Sequence, residues 1–171
     1  MYAELHALTN FSFLRGASQP EELVLQATRL RYSALAITDE CSLAGVVRAH
    51  IAAKQHGLPL IIGAEFTCVD GLKLVVLATD RASYGALSRL VSRCRRATVK
   101  GRYTLTRDDL VNSLDGCLIV WFPRASLPQH HEDGRWLRER FSGRVWIGVE
   151  LLTGGCDTTP ASGARTGIPA L

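Results

Sequence analysis

Long apolar runs are missing from this 171-residue sequence. The longest, such as Leu58 to Ala64 and Leu72 to Ala78, are strand-length. A bilayer-crossing helix needs roughly 18 residues, so a helical membrane protein is excluded. The first residues, Met1-Tyr-Ala-Glu-Leu-His, have no basic n-region before an apolar stretch, so a secretory signal is not expected. Cysteine is sparse and odd in number: Cys41, Cys68, Cys94, Cys117 and Cys156, with no C-x-x-C spacing. A disulfide-stapled scaffold is therefore excluded, and reduced thiols in a cytoplasmic protein are the simpler expectation. Cys68 and Cys117 lie among apolar residues and read as small core fillers. Lysine is scarce as well, with 3 against 17 arginines, a ratio that a GC-rich coding bias can produce. A strong charge of either sign is also lacking. The excess is only +4, compatible with nucleic acid without pointing to it. No Walker-type G-x-x-x-x-G-K, no G-x-G-x-x-G and no G-x-S-x-G occurs.

What is present suits one ordinary domain: 47% hydrophobic residues and a mean hydropathy of +0.08. Short apolar runs alternate with amphipathic stretches. Strands are expected at Glu4–Leu8, Ala34–Thr38, Leu60–Phe66, Lys73–Ala78, Cys117–Phe122 and Arg144–Leu151. Between them, Ser18-Gln-Pro-Glu-Glu reads as a helix start with Ser18 as cap, and Ser42 reads as the cap of a helix ending near His56. Further helices are expected over Ala82–Arg96, Asp108–Leu114 and Asp133–Phe141. Such alternation predicts an α/β fold with a largely parallel, doubly covered sheet. The domain is expected over residues 1–152. Residues 153–171 are rich in Gly, Thr, Ser and Pro and read as an irregular, mobile tail leading toward a further strand.

In parallel α/β folds chemistry collects where strands end at their carboxyl side. His6, the pair Asp39-Glu40 and Glu65 all fall there. Imidazole and carboxylates together suit zinc or manganese, although a strand histidine is commonly a core residue and such an aspartate a helix cap. His130-His131 reads as a solvated loop, and His50 and His56 as surface residues. A second feature is basic: Arg89, Arg93, Arg95, Arg96, Lys100, Arg102 and Arg107 follow one another without an acid until Asp108. On a helix Arg89, Arg93 and Arg96 share a face. That face could track phosphates or simply be solvated, and the two readings are evenly matched.

The run from Ala3 to Ser18, AELHALTNFSFLRGAS, resembles the opening of the polymerase-and-histidinol-phosphatase (PHP) domain. The run from Ala34 to His50, ALAITDECSLAGVVRAH, is similar to the error-prone branch of bacterial C-family polymerases. Gly63-Ala-Glu-Phe66 and Leu74-Val-Val-Leu-Ala78 continue the resemblance in order, and it extends to about Leu151. It implies a distorted (β/α)7 barrel, cut short before its last strands. It further implies that His6, Glu40 and Glu65 are remnants of a metal site. Where metal-binding members carry His-x-His, this sequence has His6-Ala7-Leu8, and Arg15 precedes Gly16 where an acid is usual. Arg15 is therefore expected to pair with Glu40 or Glu65 in place of a metal.

The resemblance also implies a parent that polymerises DNA with Mg2+, used in damage-induced translesion synthesis and repair. Within this chain no cofactor is expected and enzymatic activity is left open. The expected partners are DNA, met by Arg89, Arg93, Arg96, Lys100 and Arg102, and the remaining polymerase domains. A Y-family-like polymerase homologue and a recombinase-like accessory protein would follow by the same resemblance, with no membrane. The alternatives are a stand-alone metal-dependent phosphoesterase or 3′–5′ exonuclease of the same superfamily and, less favoured, a binding module without chemistry.

Overall fold

A computed structural model describes residues 2–123 and 129–149. The expected tail and its boundary lie outside the described residues. In chain order the elements are β1 (Ala3–Ala7), α1 (Pro20–Arg29), β2 (Ala34–Ile37), α2 (Val46–His56), β3 (Leu60–Thr67) and β4 (Lys73–Leu77). They continue as α3 (Arg81–Arg96), α4 (Arg107–Val111), β5 (Leu118–Trp121), α5 (Gln129–Arg140) and β6 (Val145–Ile147).

The six strands form one sheet in the order β1-β2-β3-β4-β5-β6. Three pairings are parallel, but β4 runs antiparallel to both β3 and β5. This corrects the expectation of a largely parallel sheet. The link from β3 to β4 is a tight turn in which the Cys68 N–H donates to the Leu72 carbonyl at 2.9 Å and Gly71 takes φ +91°. A parallel crossover needs a dozen or more residues, so so short a link forces a hairpin.

The sheet is strongly curled. The His6 ring on β1 lies 5.0 Å from the ring of Phe122, which follows β5. Four strand spacings in a flat sheet would separate them by about 19 Å. The result is a half-barrel with an outer and an inner face. Outside, Val24, Ala27, Ala49, Ala52 and Ala53 of α1 and α2 bury Leu35 and Ile37. Around the curl, Leu87, Leu90 and Cys94 of α3, with Leu110, Leu137 and Phe141, cover Ala64, Phe66, Leu74 and Val76. Strand periodicity turns the alternate residues inward. There Ala36, Val75 and Leu77 meet Ile61, Leu118, Val120 and Phe122 in a small apolar cluster.

Local chemistry moves several helix ends. At α1 the cap position is Gln19, not Ser18, and the Glu22 carboxylate accepts the Gln19 N–H at 2.7 Å. Ser42 does not start α2. Cys41 takes φ +44°, and the Ser42 hydroxyl accepts the Ala44 N–H at 3.2 Å, closing a turn before Val46. α3 opens on Asp80, whose carboxylate accepts the Ser83 N–H at 2.7 Å. His130 and His131 belong to α5, so the loop expected there is helix, and His130 stands beside Trp121 with centroids 6.1 Å apart.

Gly63 lets the curl close. A Cβ there would meet the Val76 carbonyl oxygen at 2.6 Å and Leu77 Cδ2 at 2.7 Å. Gly63→Ala is expected to cost about 1–3 kcal/mol, in the range of core overpacking. A denaturant midpoint that stays in place would contradict it.

Candidate functional site

The site lies where β1, β2 and β3 end on their carboxyl side. Asp39 is almost completely buried and anchors the loop from Leu8 to Ser18. Its carboxylate accepts the Thr9 N–H at 2.8 Å, the Thr9 hydroxyl at 2.7 Å and the Ser12 hydroxyl at 2.7 Å. The Ser12 oxygen in turn accepts the Glu40 N–H at 2.9 Å. Gly16 packs against this loop so closely that a Cβ would stand 2.0 Å from the Thr9 carbonyl oxygen. The tethering aims Arg15 inward.

Glu65 sits at the centre, with its side chain 1% exposed. Its Oε2 is 2.9 Å from His6 Nε2, 3.1 Å from Lys73 Nζ and 3.1 Å from Arg15 Nη2. Arg15 Nη1 bonds Glu65 Oε1 as well, and lies 2.9 Å from Glu40 Oε2. Burial works against a charge on Glu65. Hydrogen bonds from His6 and Arg15 and the charge of Lys73 outweigh it and hold the carboxyl well below the usual range. The same bonds push the Arg15 guanidinium further up, against the smaller cost of burial.

Glu40 is held from three sides. Beyond Arg15, the Tyr103 hydroxyl donates to its Oε1 at 3.2 Å and accepts the Thr67 N–H at 2.9 Å. Burial, and then the Glu40 charge, push the Tyr103 phenol up. Arg95 reaches over from α3, donating to the Glu40 carbonyl at 2.9 Å and the Cys41 carbonyl at 3.1 Å. Its guanidinium lies over the Tyr103 ring, 5.5 Å from the centroid.

The expected trio is thus brought together, but around cations. These residues do not fit a divalent metal. Glu65 already faces two fixed positive groups, Leu8 offers no lone pair, and Arg15 lies between the two glutamates. Among the described residues no group of three or more His, Cys, Asp or Glu could hold a metal ion. Lys73 and Tyr103 escape a reading of the sequence by strand ends. The hairpin register, with Thr67 opposite Lys73, would have placed Lys73 on the Glu65 face. Tyr103 lies in a segment with no periodic signal.

The basic residues divide. Arg93 is spoken for: its Nε is 3.3 Å from Asp109 Oδ1, and its Nη2 donates to the Asp109 carbonyl at 3.1 Å and the Ser113 hydroxyl at 2.6 Å. Arg89, Arg96, Lys100 and Arg102 are exposed. Cys41, Cys68, Cys94 and Cys117 are all buried free thiols, which extends the core-filler reading from two cysteines to four.

The sequence that forms this half-barrel matches the PHP domain family model over residues 4–138, and the chain belongs to that family. Among curated proteins it is 54% identical over 170 residues to the error-prone DNA polymerase of Dechloromonas aromatica, covering 96% of this chain. It is likewise 54% identical over 158 residues to that of Pseudomonas aeruginosa, covering 91% of this chain. The chain spans only 16% and 15% of the lengths of those two relatives. Solved structures share the fold. One is an amidohydrolase from Chromobacterium violaceum, with a TM-score of 0.67 and 16% identity over 86% of this chain and 76% of that one. Another is a two-domain protein from Bacteroides vulgatus containing a predicted PHP-like metal-dependent phosphoesterase. Its TM-score is 0.55 and its identity 16%, over 78% of this chain and 41% of that one.

Removing Arg15 tests the cluster. Stripping one partner from a fully buried pair costs about 3–5 kcal/mol. Arg15 is about a third exposed and Glu65 keeps Lys73 and His6, so Arg15→Ala is expected to cost about 1–3 kcal/mol. The sign with pH is fixed by Glu65. Its folded value is depressed, so its contribution is complete above the ordinary carboxylate range near 4.3 and is lost as pH falls through the folded value. The stability gap between wild type and Arg15→Ala should therefore be widest at neutral pH and shrink in acid. A gap that does not change with pH would refute the role given to Arg15.

Proposed function

We propose that this chain is the PHP domain of an error-prone DNA polymerase and acts as a structural platform for the parent's remaining domains. The observation that carries the reading is its 54% identity, over 96% of the chain, to a curated error-prone DNA polymerase. The parent would extend primers by metal-assisted phosphoryl transfer with Mg2+, using acids of its other domains. Its setting would be the cytoplasm, in translesion synthesis during repair of damaged DNA. Cooperation with a Y-family-like polymerase homologue and a recombinase-like accessory protein belongs to the same proposal.

The geometry at Glu65 supports a platform over a phosphoesterase or exonuclease. A hydrolytic metal centre needs several free lone pairs and an open position for water. Here the lone pairs of Glu65 and Glu40 point at guanidinium, ammonium, imidazole and phenol groups. Arginine cannot give up its proton to make room. The His6, Glu40 and Glu65 set is then a former ligand set turned into an ion cluster.

The purified 171-residue chain is expected to neither extend a primer nor hydrolyse bis(p-nitrophenyl) phosphate with Mg2+, Mn2+ or Zn2+ added. It should contain less than stoichiometric metal, and its melting temperature should not fall on chelation. The full-length gene product should extend primers. Stoichiometric zinc or manganese together with diester hydrolysis would establish the phosphoesterase reading instead, and a full-length product unable to extend a primer would remove the polymerase reading.

A further inference from the structure

The positive charge of this protein is concentrated in one segment. Residues 81–107 contain eight Arg and Lys and no Asp or Glu, while the remaining 144 residues hold 12 basic against 16 acidic. The net excess of the chain therefore comes entirely from α3 and the loop after it. Two local causes account for part of this. The helix dipole favours cations in the last turn of α3, where Arg93, Arg95 and Arg96 sit. Arg93 and Arg95 also have structural work, on Asp109 with Ser113 and on the Glu40 and Cys41 carbonyls.

Neither cause reaches Arg89, two turns from the helix end, or Lys100 and Arg102 beyond it. Arg89, Arg96, Lys100 and Arg102 are exposed, and among the described residues none has an ion-pair or hydrogen-bond partner. Arg89 and Arg96 line a shallow depression on α3 together with Ser88, Ser92, Arg93 and Ala97. Seven residues of helix place the two arginines about 10 Å apart, roughly three steps along a nucleic acid strand. Guanidinium groups fork onto phosphate oxygens, and serine hydroxyls can donate to the same oxygens.

We propose that this face of α3, formed by Arg89, Arg96 and the flanking Ser88 and Ser92 and followed in the chain by the exposed Lys100 and Arg102, docks the phosphate backbone of DNA without reading its sequence. The choice of DNA over an acidic protein rests on the polymerase reading. The arginines that do the binding are Arg89 and Arg96, with Arg93 acting to hold α4 against the helix.

The test is fluorescence anisotropy of the 171-residue chain on short mixed-sequence DNA duplexes, titrated from about 50 to 200 mM salt. Replacing both Arg89 and Arg96 with Ala should flatten the slope of log K against log salt by about 2. Over that range the salt-induced loss of affinity should then be about tenfold smaller than in wild type. Arg138→Ala with Arg140→Ala removes the same charge from exposed positions of α5 and should leave the slope as it is. Three outcomes overturn the proposal: an unchanged slope in the Arg89 and Arg96 variant, an equal change in the α5 control, or no binding to duplex at the low-salt end. None of these touches the polymerase reading, which primer extension by the full-length product decides separately.

Discussion

A carboxylate with no access to water must be neutralised or surrounded, and Glu65 is surrounded. Its charge lies on the inner face of the curl, where burial in low dielectric would otherwise cost several kcal/mol. The groups that offset this come from three different parts of the chain: His6 from β1, Arg15 from the loop before α1, and Lys73 from the far arm of the β3–β4 hairpin. Glu65 thus couples elements that the backbone ladder joins only at a distance. Its backbone takes part too: an isolated bridge pairs it with Glu40, and its carbonyl accepts the Cys41 N–H at 2.8 Å. The loop carrying Arg15 is held from below by Asp39, so the two acids divide the labour. One fixes the loop by accepting neutral donors, and the other is met by the cation that the loop delivers.

The curl of the sheet makes this convergence possible. On the outer face, apolar side chains of α3 and of the β3–β4 hairpin interleave in a continuous core. On the inner face the apolar cluster is small, and a smaller face is what bending a sheet inward requires. Gly63 on β3 leaves out a side chain that would collide with the Val76 carbonyl oxygen and Leu77 of β4. Gly148 does the same after β6, where a Cβ would stand 2.5 Å from the Phe122 ring. With these positions bare, Phe122 can reach both His6 and the Lys73 ammonium, the latter 5.4 Å from its centroid. The aromatic ring thereby closes the inner cluster beside the charged one.

Much of this was legible in the order of residues, and the failures have identifiable causes. Every strand core was found because runs such as Leu72–Ala78 combine β-branched and apolar residues between turn signals. The direction of β4 was not, since periodicity carries no information on direction and only the length of the link to β3 decides it. A serine before an apolar run signals a cap, and this sets the expected start of α2 too early. Here Cys41 adopts a left-handed conformation, and the turn it forces uses up Ser42 first. His6, Glu40 and Glu65 could be grouped from strand ends and family resemblance together, and Arg15 could be expected between the glutamates. Tyr103 could not, because its role depends on a tertiary contact across 63 residues of sequence; Lys73 follows only once β4 is set antiparallel to β3, which puts it opposite Thr67 on the Glu65 face.

Arginine at position 15 has a consequence that a lysine would not share. A guanidinium offers five donors in one plane, so it can engage two carboxylates at once, as it does with Glu40 and Glu65. A bridging divalent ion does the same thing mechanically, drawing anionic side chains from separate loops to one point. The two differ in what is left over. A metal with an open position binds water and lowers its pKa toward neutrality, whereas a guanidinium has no such position and no accessible deprotonated state. Replacing one by the other keeps the cross-link among strand ends while removing the means of activating water. A half-barrel built this way keeps a cross-link among its strand ends without a position at which water could be activated. That is the condition under which such a domain can serve as a scaffold, because its stability then depends on its own side chains and not on the supply of an ion.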